Sequence, residues 1–441
     1  MLTDIIGSIY KKHKSLNYLT LAGCGLFLSV ATFSSSTIIQ MLSFFSLLPV
    51  MLVMLADDVK QSSRHYLLGL IFFAFWLLPC TYWYYSFMHP LVAIAASVGF
   101  VLLLANSFNI LALSKNKLSE GITLLIFCVS WATFTFLRLH LPLLKDWWIP
   151  HLGYALWRNP ALLQLGKLAG EASIEFCMLA FCATLAYLNK KKRLLTSIAI
   201  SLAFLFLVIG SNYLLVKDRT NDFPLIIAIQ CSSAVKDSEA TAKDLEKIKT
   251  QTMEVLGKSQ HNQSDEVYVV WPENRIPPYY HHELAEFAKA QGINLIYHSY
   301  EPTNNNDKPY KTITWVNRYG EVVLKNYKEN IAPGENGSAK KSANIVNGKT
   351  AYICYDVHYP TIVKRMTGAQ LAFVALNDEE FWDLQKTFHL ADMALRAVQA
   401  DVWLAAASKD GPSAIISKHG VIINVLPFRQ DGYIIYKFSP K

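Results

Sequence analysis

Charge is scarce in this chain and unevenly placed. Asp, Glu, Lys and Arg make up only 17% of 441 residues against 52% hydrophobic, and the apolar excess falls almost entirely before residue 217. One soluble domain is therefore excluded, and the length suggests about two or three domains. Metal-ligand spacing is absent as well. The seven cysteines, Cys24, Cys80, Cys128, Cys177, Cys182, Cys231 and Cys354, form no Cys-x-x-Cys pair and no Cys/His cluster, so neither a metal nor any other cofactor is expected. Only Cys231 and Cys354 lie in the polar half, both in strand-like runs, and two free thiols are expected rather than a disulfide. No short apolar segment with a small-residue cleavage site opens the chain, so the N-terminus is read as retained. Internal repeats and low-complexity tracts are also missing; residues 304–307 read simply as a loop. The net charge of +8 would suit nucleic acid, but its location near apolar segments points to a membrane instead, and no nucleic acid is expected.

What is present in the first half is length. A bilayer span needs about 17 to 25 apolar residues, and about seven such stretches can be drawn: Asn17 to Phe33, Thr37 to Ala56, Tyr66 to Tyr85, Leu91 to Leu113, Gly121 to Leu139, Ala172 to Leu188 and Leu195 to Val216. Basic residues mark alternate connections. Lys11, Lys12 and Lys14 precede the first stretch, Lys60 and Arg64 follow the second, Lys115 and Lys117 the fourth, and Lys190 to Arg193 the sixth. Ser34 to Ser36 and Ser86 to Pro90 carry none, although the longer connection from His140 to Gly170 carries Lys145, Arg158 and Lys167. The positive-inside bias places the N-terminus in the cytoplasm, and an odd number of spans places residues 218–441 outside it. Trp147, Trp148, Tyr154 and Trp157 in the long connection are expected to be interfacial anchors. Glu175, near the outer end of its stretch, is read as functional unless it snorkels to the interface.

The second half reads as a mixed α/β domain, with strands expected near Phe223 to Gln230, Val267 to Trp271, Ile293 to His298, Lys311 to Val316, Val322 to Asn326, Thr350 to Tyr355, Leu371 to Leu376, Val402 to Ala407, Ser413 to Ser417 and Val421 to Val425. Helices are expected over Ala240 to Leu256, Glu283 to Ala290 and Lys386 to Ala400. Three reactive groups stand at strand ends or just beyond. Glu273 follows Val-Val-Trp-Pro; apolar walls there would raise its pKa toward that of a general base. Lys328 precedes Pro333-Gly334-Glu335 and could present an ammonium to an oxyanion. Cys354 ends the run Ala-Tyr-Ile-Cys-Tyr-Asp, where a thiol would be aimed as a nucleophile. Each has a commoner explanation taken alone: a solvated Glu, a basic residue before a turn, a buried structural thiol.

Taken in order, the three resemble the Glu-Lys-Cys triad of the nitrilase (carbon-nitrogen hydrolase) superfamily over most of residues 220–430. Asn377-Asp378 and the later His389-Leu390 to Arg396-Ala397 are similar to that family's stretch after the cysteine strand. The resemblance implies a four-layer α-β-β-α sandwich, with catalytic Glu273, Lys328 and Cys354 and with Glu335, Tyr355, Asp356, Asn377, Asp378 and Arg396 near substrate or behind the triad. With its amino-terminal spans, the layout is similar to apolipoprotein N-acyltransferases and to the TraB proteins of conjugative plasmids. Expected domains are a polytopic α-helical membrane domain at 1–217 and an extracytoplasmic nitrilase-like domain at 218–441, in a bacterial inner membrane. The implied partners are a phospholipid acyl donor and a lipoprotein acceptor, with the oligomeric state open. Departures from the acyltransferase pattern are the short Lys328 to Glu335 spacing, Asp356 in place of a glutamate, Gln399 in place of another, and no span after the last strand. The alternatives are a TraB-like amidase and a non-catalytic nitrilase-like binding module.

Overall fold

In a computed structural model, residues 14–437 are described apart from 57–61, 87, 116, 143, 218–223, 233–241, 260–264, 275, 304–307, 333–334 and 343. Lys11, Lys12, Lys60, the 304–307 loop and the Pro333-Gly334 turn lie outside the described residues. The chain divides into two units, Met1–Leu215 and Val216–Lys441.

In the first unit the described residues contain 7 helical segments long and apolar enough to cross a membrane, Ser15–Phe33, Thr37–Ala56, Ser63–Ser86, Pro90–Ser114, Glu120–His140, Glu171–Lys190 and Leu194–Lys217. The second is interrupted, its helix stopping at Ser43 and resuming at Leu47. Small residues let these helices approach closely, as membrane bundles require. A Cβ on Gly25 would collide with the Phe72 carbonyl oxygen of the third span. Two sequence expectations change here. Trp148, Tyr154 and Trp157 are buried in the protein, with the Trp148 indole donating to Tyr154 Oη at 2.7 Å and the Trp157 indole to the Thr32 carbonyl at 3.2 Å. They pack the long connection onto the helices instead of facing an interface, because each N–H finds a protein acceptor.

Glu175 does not snorkel either. It is fully buried, accepts from Thr135 Oγ1 and from the Leu152 amide at 2.9 Å, and faces Arg138 at 3.7 Å. Arg138 in turn donates to the carbonyls of Ile149 and Pro150. The pair thus fastens the long connection to two spans. Removing one partner of a buried pair leaves a bare charge, typically at about 3–5 kcal/mol. Glu175→Ala is therefore expected to lower the thermal midpoint of the detergent-purified protein sharply, and a melting curve superimposable on the parent's would refute this role.

The described residues of the second unit form eleven strands, β1 Leu225–Gln230, β2 Val267–Val270, β3 Asn294–Glu301, β4 Tyr310–Val316, β5 Val322–Tyr327, β6 Lys349–Ile353, β7 Leu371–Asn377, β8 Trp403–Lys409, β9 Ala414–Ile416, β10 Ile422–Val425 and β11 Gly432–Tyr436. They form two sheets, β11-β1-β2-β3-β4-β5 and β10-β9-β8-β7-β6. Strands β1/β2/β3 run parallel in the first sheet with antiparallel neighbours on both sides, and β6/β7/β8 run parallel from one edge of the second, with antiparallel β9 and β10 beyond β8. Central strands buried on both faces read as continuous apolar runs, as in Leu-Ile-Ile-Ala-Ile-Gln of β1, buried throughout. Helices α1 Ala242–Lys258 and α2 His281–Gln291 bury Leu245, Ile248, Val255, Leu284 and Ala288 in the core of the first sheet. Helix α3 Asp383–Ala400 belongs with the second and is almost wholly buried. Between the sheets the Tyr268 and Phe373 rings stack with centroids 5.3 Å apart. The four-layer expectation holds. Strand β11 was not expected from the sequence. It is a short Tyr-Ile-Ile-Tyr run that becomes a strand by pairing antiparallel with β1, from Ile226 opposite Tyr436 to Gln230 opposite Gly432.

Candidate active site

Glu273, Lys328 and Cys354 come together at strand ends of the two sheets. Pro272 has no N–H to continue a ladder, so β2 ends at Val270, while the Trp271 amide still reaches the Ile296 carbonyl at 2.9 Å. The next amide, of Glu273, donates across the sheets to the Leu376 carbonyl at 3.1 Å. That bond ties the end of β2 to β7. Lys328 follows β5 directly; its amide donates to the Lys311 carbonyl at 2.9 Å, and its side chain is buried. Cys354 follows β6 with a φ of +43°, a left-handed conformation uncommon for a residue with a Cβ and costing on the order of 1–3 kcal/mol. The strand was expected to run on to Tyr355. Instead it stops at Ile353, and a tight turn over Cys354–His358 begins at the thiol.

The side chains form one ionic cluster. Lys328 Nζ lies 2.7 Å from Glu335 Oε1 and 3.8 Å from Glu273 Oε1. Lys311 Nζ, from β4, lies 3.1 Å from Glu273 Oε1 and also bonds Glu335. His298 Nε2, from β3, stands 3.7 Å from Glu273 Oε1. Lys311 and His298 were missed in the sequence, being read only as strand residues; an ionisable side chain on an otherwise buried strand was the available signal. Their presence corrects the expected raised pKa of Glu273. Burial pushes that carboxyl up, but Lys311, Lys328 and His298 outweigh it and hold it well below the usual carboxylate range. Glu335 is also lowered, its burial opposed chiefly by Lys328. Burial pulls Lys328 down, yet Glu273, Glu335 and Cys354 leave it raised on balance. Burial pushes the Cys354 thiol well up; Lys328 pulls it back, and Glu273, Asp378 and Glu335 add to the rise.

The other sequence-selected residues divide into those facing the thiol and those holding its supports. Asn377 meets Cys354 through its carbonyl, at 3.8 Å from Sγ. Asp378 Oδ1 pairs with His389 Nδ1 at 2.6 Å, and atoms of Cys354, Asp378 and His389 lie within 4.8 Å of one another. Imidazole and carboxylate are thus already each other's partners beside the thiol. Arg396 serves the turn that follows Cys354. It donates to the carbonyls of Val357 at 3.0 Å and His358 at 2.7 Å, and to Gln399, fastening the turn after Cys354 to α3. Tyr355 stacks on His358 in that turn.

Asp356 is a clasp. It accepts from the Asn330 amide at 2.8 Å, the Asn330 side chain at 3.0 Å and the Glu329 amide at 3.2 Å, joining the turn after Cys354 to the segment after Lys328. Burial pushes its carboxyl up to about 7, against Lys328 and these donors. Each buried donor left without a partner costs about 1–3 kcal/mol. Asp356→Ala should therefore loosen the segments that carry Lys328 and Cys354, lowering the melting midpoint and turnover together; unchanged turnover would show that the clasp positions nothing.

A family model described as "Apolipoprotein N-acyltransferase N-terminal domain" matches residues 22–184, and one described as "Carbon-nitrogen hydrolase" matches residues 228–441. The apolipoprotein N-acyltransferase of Aquifex aeolicus is 25% identical over 332 residues, covering 68% of this chain and 73% of that protein. The same-named protein of Synechocystis is 27% identical over 108 residues, 24% of this chain and 20% of its own length. Among solved structures, Nit3 of Saccharomyces cerevisiae, a member of the nitrilase superfamily, gives a TM-score of 0.42 at 18% identity over 51% of this chain and 93% of its own. An amidase from Nesterenkonia gives 0.40 at 18% identity over 48% and 89%. This chain is a multi-pass membrane protein of the carbon-nitrogen hydrolase superfamily, an enzyme of the acyltransferase type similar to apolipoprotein N-acyltransferase.

Proposed function

We propose that this enzyme moves an acyl chain from a phospholipid to an amino group through a thioester on Cys354, the acceptor being the terminal amine of a diacylglyceryl-cysteine lipoprotein. The observation that carries the reading is the buried thiol set at a strained strand end against the Glu273, Lys328 and Glu335 cluster, in a chain whose first half matches the acyltransferase membrane domain.

In the first step Glu273 takes the Cys354 proton as sulfur attacks the ester carbonyl. The C–S bond forms, the ester C–O bond breaks, and the lysophospholipid oxygen leaves with the proton from Glu273. Because the thiol is raised by burial, proton transfer accompanies attack instead of preceding it. Lys328, with a backbone N–H beside Cys354, stabilises the oxyanion in a site screened from water. In the second step the amine attacks the thioester, Glu273 takes its proton, and the thiol is regenerated. No metal or cofactor enters the sequence of steps.

The basic residues support an orientation. Lys115, Lys117 and Lys191 to Arg193 stand on alternate connections of the spans, with Arg64 and Lys190 at the span ends on the same side, which favours a cytoplasmic N-terminus and a periplasmic second unit in an inner membrane. Vesicles containing acyl-labelled phospholipid and a diacylglyceryl-cysteine peptide test the function. N-acyl peptide and lysophospholipid in equal amounts are expected. Free fatty acid with unmodified peptide would make the enzyme a hydrolase and overturn the transferase reading.

A further inference from the structure

Buried lysines are rare, and one with a catalytic partner already assigned does not call for a second. Lys311 is nevertheless 1% exposed and sits within a strand, one residue before the Thr312–Tyr327 pairing of β4 with β5. Its carbonyl holds the Lys328 amide at 2.9 Å, so the two lysines are set side by side by the backbone. Its stem runs past Gly337, where a Cβ would stand 3.4 Å from Lys311 Cε. Its ammonium is the nearer one to Glu273, at 3.1 Å against 3.8 Å for Lys328, while the nearer carboxylate to Lys328 is Glu335, at 2.7 Å.

We propose that Lys311 is a positioning residue, a second site lysine that balances the two carboxylates and fixes Glu273 as the proton acceptor for Cys354. The proposal rests on the reading of Glu273 and Cys354 given above. With Lys311 present, two ammoniums face two carboxylates, and Lys328 is left to serve the thiol and the oxyanion. Without it, Glu273 and Glu335 share one ammonium, and two carboxylates so placed do not both stay ionised easily. The other titratable groups facing the cluster are His298 from β3, Cys354 and Asp356 after β6, and Asp378 after β7. They are common to every variant compared below.

The rate of Cys354 alkylation by iodoacetamide, followed by peptide mass on the full-length protein in detergent from pH 6 to pH 11, tracks ionisation of the buried thiol and reads this without an acyl donor. Loss of a positive charge raises both Glu273 and Cys354, so Lys311→Met is expected to displace the acid limb upward by about one to three pH units. The added change Glu335→Gln restores neutrality and should bring the limb back toward the parent's, a rescue that a purely structural lysine would not show. Lys325→Met, which removes a partly exposed pair with Glu301 on the same sheet, should leave the limb in place. If Lys311→Met fails to fold, Glu335→Gln alone decides, since two ammoniums facing one carboxylate should move the limb downward.

A Lys311→Met limb that overlays the parent's overturns the proposal, as does a double variant that behaves no differently from Lys311→Met, or an upward shift in Glu335→Gln. If the limb moves as expected but Cys354 takes no acyl group from phospholipid, the transferase reading fails and Lys311 keeps its role. The converse outcome removes Lys311 alone.

Discussion

Cys354→Ala is expected to abolish acyl transfer while leaving the protein folded. The loss expected is about four to six orders of magnitude in turnover, the scale seen when a covalent nucleophile is removed and only binding and oxyanion stabilisation remain. Folding survives because the change deletes one buried sulfur whose hydrogen bond, to the Asn377 carbonyl at 3.8 Å, is weak. The left-handed backbone at this position is held by its surroundings: Arg396 grips the carbonyls of Val357 and His358, and Asp356 grips the Lys328 segment. Cys354→Ser should be nearly as inactive, since the thiolate is the nucleophile and a hydroxyl is far harder to ionise. The check is lysophospholipid release by variants whose melting midpoints match the parent's. Activity within tenfold of the parent would place the chemistry elsewhere.

Lys328→Met comes next in size, at about 10²- to 10³-fold in kcat, the range for losing one oxyanion donor. Its charge is the main influence lowering the Cys354 thiol against burial, so the variant should also alkylate slowly at neutral pH. It differs in kind from Lys311→Met. Raising the pH should recover most of what Lys311→Met loses, because that lysine acts through proton transfer from the raised Cys354 thiol to Glu273. It should not recover Lys328→Met, where the transition state has lost a contact that base cannot replace. Full recovery of Lys328→Met in alkaline buffer would reduce Lys328 to a counterion.

Much of this was legible in the sequence. The spans were readable because hydrocarbon thickness sets a length that few other constraints impose. Glu273 was legible from Pro272, which ends β2, and Cys354 from the apolar run before it. The turn starting at Cys354 was not, because Tyr-Asp-Val-His carries no Gly or Pro; the turn is imposed by Arg396, which lies in α3. Lys311 and His298 escaped for a related reason. Alternation along a strand identifies a strand, but only pairing shows which strand ends share a site, and the hydrogen bond from the Glu273 amide to the Leu376 carbonyl ties the end of β2 to a strand of the other sheet. The mistaken expectation for Glu273 followed from that omission: apolar neighbours in sequence suggested a raised carboxyl, while two lysines brought in by β4 and β5 reverse the sign. Asp356, a departure from the acyltransferase pattern, is explained by structure alone, as a clasp on Asn330 and Glu329.

The central claim is that Cys354 carries the acyl chain. Intact mass of the purified full-length protein after incubation with a single defined phospholipid, without acceptor, tests it directly. The account predicts one added acyl mass, located by peptide mapping to Cys354, released by hydroxylamine as a thioester, and formed with an equal amount of lysophospholipid. Lysophospholipid release with no adduct on Cys354, or an adduct that persists in Cys354→Ala, would contradict it.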